Sequence, residues 1–277
     1  MPLSLSEVVP VRLFHDDAFR WRLSTRSLDA AGWLQFDDQV DRYLAEKETI
    51  LNEHGDDAVA YVSGSEGPAN ELAALIEAAV ESEGRSMPTR HADEHPIVWS
   101  ARAVQEDLCV LQRRPEGWVL TAAAVCFPTR WSPAAKVGLE LGQVHGPVPR
   151  YGEIAATVDR FFDRLRPGAI AWRPNWSIVG DDRLRLPVDD RQAPTGLPAD
   201  PLRTLWLRIE RQTVRRLIDH PEATVFTIRV HRWPLGESII GLEAALAAEL
   251  RTIPDDIARY KNLDEWRMLL AGQLDRG

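Results

Sequence analysis

Residues 169–179 read AIAWRPNWSIV. In an extended chain successive side chains point to opposite sides, so Trp172, Pro174, Trp176 and Ile178 share one side and Arg173, Asn175 and Ser177 the other. Pro174 has no N–H to give a ladder, which makes this strand an edge or a bulged one. Two later stretches repeat the alternation. In RTLWLRIERQ (203–212) Leu205, Leu207 and Ile209 oppose Trp206, Arg208 and Glu210. In ATVFTIRVHRW (223–233) Phe226, Ile228 and Val230 oppose Thr227, Arg229 and His231. Taken together these strands predict a sheet with one apolar face and one face of arginines, an asparagine, a glutamate and a histidine. Such a face is either a solvated outer surface or a ligand surface, the latter because Trp206 interrupts the polar series and a flat cofactor would cover it.

Working outward, 107–113 and 117–126 form a hairpin around RPEG (114–117). Val40, Tyr43, Leu44, Ile50 and Leu51 recur at helical spacing before Gly55, and Leu72, Leu75, Ile76, Ala79 and Val80 mark a second helix near 69–82. Ile154, Val158, Phe161, Phe162 and Leu165 form an apolar stripe ending at RPG, and Ile239, Leu242, Ala245, Leu246 and Leu250 begin a helical C-terminal quarter. The expected fold is α+β: an antiparallel sheet of about five strands flanked by N- and C-terminal helices. One domain spans 1–277, with an arm at 1–36, a helical part at 37–95, a sheet-rich core at 96–235 and C-terminal helices at 236–277.

The formal net charge of −9 leaves no basic footprint for nucleic acid. Of 33 basic residues only Lys47, Lys136 and Lys261 are lysine. No apolar run is long enough for a signal peptide or a membrane span, and Cys109 and Cys126 are too few for a disulfide framework or an iron–sulfur cluster. A cytosolic protein is expected.

Phosphate-loop, H-E-x-x-H, G-x-S-x-G and paired-cysteine signatures are missing. HADEH (91–95) has metal-like spacing but sits between Pro88 and Pro96 without helical support, which favours a solvated loop. His15, His54 and His220 border element ends and are expected at the surface. In VHGPVPRY (144–151) two prolines stiffen the backbone around His145. The histidine is either a hydrogen-bonded loop residue or an imidazole held at a fixed angle, as an axial haem ligand must be.

The succession LCVLQRRPEGWVLTAAAVCFPTRWSPAAKVG, VHGPVPRY, VDRFFDRLRPG, WRPNWSI, RIERQTVRRL and VFTIRVHRWPL resembles the family of the haem-dependent oxidative N-demethylase α subunit over nearly the whole chain. The resemblance implies a PAS-like fold holding haem b. The activity it implies is oxygen-dependent removal of a methyl group from a small secondary amine, releasing formaldehyde, with electrons from NADPH through separate flavin and iron–sulfur subunits. It makes His145 the first choice of iron ligand, with His231 as fallback. Arg130, Arg173 and Arg211 become candidates to neutralise haem propionates, and Trp131, Trp172 and Trp176 candidate pocket walls. A neutral amine requires a proton acceptor, for which Glu210 is the candidate, with Asn175 and Tyr151 to orient substrate or oxygen. A PAS-like fold is equally compatible with a haem or small-ligand sensor, or with an interaction module that has lost haem.

Overall fold

A computed structural model of the chain describes residues 3–15, 23–190 and 196–276. Among them seven strands form one sheet: β1 (Arg26–Leu28), β2 (Val59–Tyr61), β3 (Asp107–Arg113), β4 (Trp118–Ala124), β5 (Ile170–Val179), β6 (Trp206–Arg216) and β7 (Ala223–Pro234). Their order is β1-β5-β6-β7-β3-β4-β2, every pair antiparallel. The expected count of about five is corrected by β1 and β2. Each is three residues long, too short to show a period of two. β1 pairs only with Ile170–Trp172, so Pro174 lies where β5 has a neighbour on one side only, as its missing donor requires.

Register decides the two faces, because residues directly opposite in an antiparallel pair point to the same side. Asn175 faces Glu210, which faces Val230; Arg173 faces Gln212, which faces Ile228. The first face therefore carries Arg173, Asn175, Glu210 and Gln212 together with Phe226, Ile228 and Val230. Arg211 and His231 stand on the second face beside Ile209, the residue opposite His231. The expected pairing of all three polar sets is thus correct for β5 and β6 and inverted for β7.

The second face is buried by the helix Glu66–Ser82, whose Leu72, Ile76 and Val80 pack on Leu108, Val110 and Ala122. At the other end Leu246, Leu250, Ile257 and Leu270 of the three C-terminal helices pack on Ile178, Leu207 and Ile209. The first face is covered by the crossover from β4 to β5. Its helix Ala155–Arg164 brings Val158 and Phe162 onto Leu111, Leu120 and Val214, and Leu165 leaves helical geometry two residues before Pro167. The helix Val40–Ala58 adds Tyr43 and Ile50 against Phe127 and Val230. It breaks at His54 (φ −133°, ψ 23°), beside the stop expected at Gly55, and a further short helical stretch carries it to Ala58. Among the described residues no helix is long and apolar enough to cross a membrane.

The crossover begins at a buried charge. Asp107, at the start of β3, accepts the backbone N–H groups of Cys126 and Phe127, both at 2.9 Å, and faces Lys47 Nζ at 3.7 Å with both side chains wholly buried. Removing one member of a buried pair leaves the other uncompensated. Asp107→Ala is expected to lose ~3–5 kcal/mol of stability in urea unfolding; an unchanged midpoint would contradict this account of the crossover.

Candidate functional site

Between the first face and the crossover lies a cavity of about 300 Å³. Leu111, Leu120, Val214 and Phe226 floor it, while Leu141, Val144, Val148, Ile154 and Phe161 roof it, so most of its wall is apolar. His145, Tyr151, Arg130, Arg173, Asn175, Trp176 and Glu210 all line it. Seven residues drawn from four separate stretches of sequence thus converge on one space.

His145 ends the short helix Leu141–Val144 and folds back on it: its backbone N–H and its ring Nδ1 both meet the Leu141 carbonyl, at 3.2 and 2.9 Å. That contact makes Nδ1 the protonated nitrogen and leaves Nε2 with its lone pair. Nε2 has no hydrogen bond to any described residue. The Tyr151 ring stacks on the imidazole at 4.5 Å and 6°. The residues between them run as consecutive turns, with Val148 N–H donating to the His145 carbonyl at 2.8 Å and Arg150 at φ 59°. Burial holds His145 below the ordinary histidine range, and the positive charges of Lys136 and Arg173 act the same way. Burial also pushes the Tyr151 hydroxyl up to about 12, so at neutral pH both rings are uncharged.

Glu210 is held from three directions. Thr129 Oγ1 donates to one oxygen at 2.5 Å, and Asn175 Nδ2 and Gln212 Nε2 donate to the other at 3.1 and 2.9 Å. Arg208 Nε in turn donates to Thr129 Oγ1 at 3.1 Å. Arg130, in left-handed geometry at φ 60°, donates to the Asp190 carbonyl at 3.1 Å and is met by the Asn262 amide oxygen at 3.0 Å once that amide is oriented by its surroundings. Arg173 differs. It donates to no described residue, and its Nε is sealed from solvent without a partner.

Two expected site residues lie elsewhere. Arg211, on the second face, donates to the Trp33 carbonyl at 3.1 Å and the Gly32 carbonyl at 2.5 Å, and sits over the Trp172 ring. His231, on the same face, bonds Gln35 at 2.9 Å; burial first, then Arg229, Arg211 and Arg232, holds its pKa well below the ordinary value. Both clasp the 32–35 segment to the sheet. Trp131 lines the cavity, whereas Trp172 lies on the second face. In HADEH, His95 is buried, caps the helix Pro96–Ala101 and contacts Ser65, while Glu94 pairs with Arg102. Among the described residues no group of three or more His, Cys, Asp or Glu is placed to hold a metal ion. His220 is half-buried and bonded to Glu71 at 2.9 Å, not a free surface residue.

The cavity is also lined by Thr129, Lys136, Gln212, Tyr260 and Lys261, none of them among the expected site residues. Gln212 was visible as the next same-side residue after Glu210. Tyr260 ends the short helix Asp255–Tyr260 and Lys261 caps it, and both reach the cavity around the free edge of β5, which no local pattern announces.

A largely apolar cavity with a tied imidazole and several cations, built against an antiparallel sheet, makes this an α+β protein with a candidate ligand site. The chain belongs to the family of haem-dependent oxidative N-demethylase, alpha subunit-like proteins, whose family model matches residues 24–271 of its 277. In an NMR pH titration the ring signals of His145 and His231 are expected to move with midpoints below the ordinary value of about 6.5. A His145 midpoint at or above that value would mean a solvated ring.

Proposed function

We propose that this chain binds haem b in the cavity through His145 and oxidatively removes a methyl group from a small secondary amine. The observation that carries the reading is the His145 tautomer: Nδ1 is committed to the Leu141 carbonyl and Nε2 is unengaged at the wall of an apolar chamber. The donor set fits the group. A porphyrin needs one axial nitrogen, an apolar slot and cations for its two acidic side chains. Here Tyr151 fixes the plane of the imidazole by stacking, the 141–161 roof supplies the apolar wall, and Arg130 and Arg173 supply the charge. Arg173 is the stronger of these candidates because nothing in the described protein uses its guanidinium.

Haem b, when bound, supplies the redox chemistry that couples oxygen to oxidation of the amine. The protein's own groups bind and orient. Glu210 is the acceptor for the amine's N–H or its proton, in a geometry fixed by Thr129, Asn175 and Gln212. Asn175 donates to Glu210 through Nδ2 and accepts from Lys261 Nζ at Oδ1, at 3.5 Å, so its amide is held beside Glu210 to orient substrate or oxygen. The apolar roof keeps bulk water from the reacting nitrogen. A PAS-like ligand chamber, cytosolic location, and electrons from NADPH through flavin and iron–sulfur partner subunits belong to the same reading, which the family's description as alpha subunit-like supports.

The absorption spectrum tests it. Purified full-length protein is expected to show a Soret band that shifts on addition of dimethylamine. His145→Ala is expected to lose that band or shift it, and full haem with an unchanged Soret band in the variant would exclude His145 as the ligand. Arg173→Leu is expected to weaken haem binding by about tenfold or more, the loss of one charge-assisted contact of ~1.5–3 kcal/mol. A Soret band indifferent to amines but responsive to carbon monoxide or nitric oxide would replace catalysis with sensing.

A further inference from the structure

None of the three lysines of this chain is a solvated surface cation. Lys47 is wholly buried against Asp107. Lys136 and Lys261 both line the cavity, and each Nζ donates to a backbone carbonyl, of Val144 and of Trp176 respectively. Arginine supplies the permanent charge elsewhere and does not give up its proton, whereas a lysine ammonium does when it is desolvated.

Lys261 is the lysine whose surroundings leave it chemically available. Its Nζ reaches the cavity, where it makes a long hydrogen bond to Asn175 Oδ1 at 3.5 Å and lies 4.7 Å from the centre of the Trp176 ring. It forms no ion pair with any described residue. The charged and titratable groups around it are Glu210 on β6, Glu249 on the helix Glu243–Thr252, Arg173 on β5 and its own neighbour Tyr260. Glu210 is occupied by its three donors, and Glu249 accepts the His15 N–H at 2.6 Å. Burial pushes Lys261 down to about 8; the two glutamates oppose the shift and Arg173 reinforces it. Near pH 7 about a tenth of Lys261 is therefore free amine, facing the cavity.

We infer that Lys261 Nζ is a covalent site for small aldehydes within the cavity. The Nζ lone pair adds to the carbonyl carbon, the two N–H protons leave with the carbonyl oxygen as water, and a C=N bond remains. No oxidant or reductant is consumed. The source of the aldehyde rests on the proposed demethylation, which releases one in the same chamber; the reactivity of the amine does not.

Full-length protein as purified, treated near pH 7 with formaldehyde and cyanoborohydride, tests the site, since the reductant converts each imine to a methylated lysine that peptide mass spectrometry locates. Nα-acetyl-lysine in the same tube is the reference. A pKa near 8 against an ordinary ~10.4 gives roughly 200-fold more free amine at that pH. Entry through the cavity takes back part of this, so Lys261 is expected to be methylated ~10-fold faster than the reference while Lys47 stays unmodified. Lys261→Arg is expected to abolish the modification at that position without lowering the melting temperature. Methylation of Lys261 no faster than the reference, or of Lys136 alone, would overturn the assignment. The wild-type rate decides by itself, so an unfolded variant would not blunt the test. Absence of haem would sink the demethylase reading and leave this rate unchanged; an unmodified Lys261 in haem-loaded, amine-responsive protein would sink only the imine site.

Discussion

The cavity exists because the chain leaving β4 is held off the sheet by a buried carboxylate. Asp107 captures the two N–H groups of Cys126 and Phe127, the point where the ladder stops. From the carbonyl side Arg208 grips Phe127 at 2.8 Å and Leu184 at 2.9 Å. These two charges stand at the same end of the first face and set the height at which the crossover starts. Burying them is costly unless every lone pair and proton is used, and here they are spent on backbone groups that have no strand partner. The roof that follows, with His145 and Tyr151, inherits its position from that anchor.

The same criterion separates charges spent on the fold from one that is not. Arg208 and Arg211 are chemically equal to Arg173 and lie within a few residues of one another on paired strands. Arg208 and Arg211 are consumed by main-chain carbonyls of the 127, 184 and 32–33 segments, as guanidinium forks suit them to be. Arg173 has no such neighbour and a sealed Nε. A buried donor left unused in a finished fold costs free energy.

Much of this was legible from local pattern. Alternation identified β5 to β7, the turn at RPEG identified the β3–β4 hairpin, and helical spacing identified the stripes on 40–58, 66–82 and 155–164. The phase between strands was not legible, because alternation fixes which residues of one strand share a side and says nothing of which side that is. β7 was therefore inverted and His231 assigned to the wrong face. Turn geometry and long-range register decide that phase. β1 and β2 escaped because three residues carry no period. Arg211 could not be told from Arg173 by sequence, since their difference lies wholly in the 32–33 carbonyls, more than a hundred residues away in the chain.

The two readings of VHGPVPRY do not exclude one another. His145 is a hydrogen-bonded turn residue: it ends a short helix and returns a ring proton to the carbonyl of Leu141. That bond is also what leaves Nε2 basic and fixes the plane of the ring, with Tyr151 pressed against its face. In many metal sites the second nitrogen of a ligating histidine is tied in this way, so the bland contact and the functional one are not rivals. The prolines serve both. By shortening the set of conformations open to 144–151 they lower the entropy cost of holding an imidazole still, and they deliver Tyr151 to the start of the helix whose Val158 and Phe162 close the chamber.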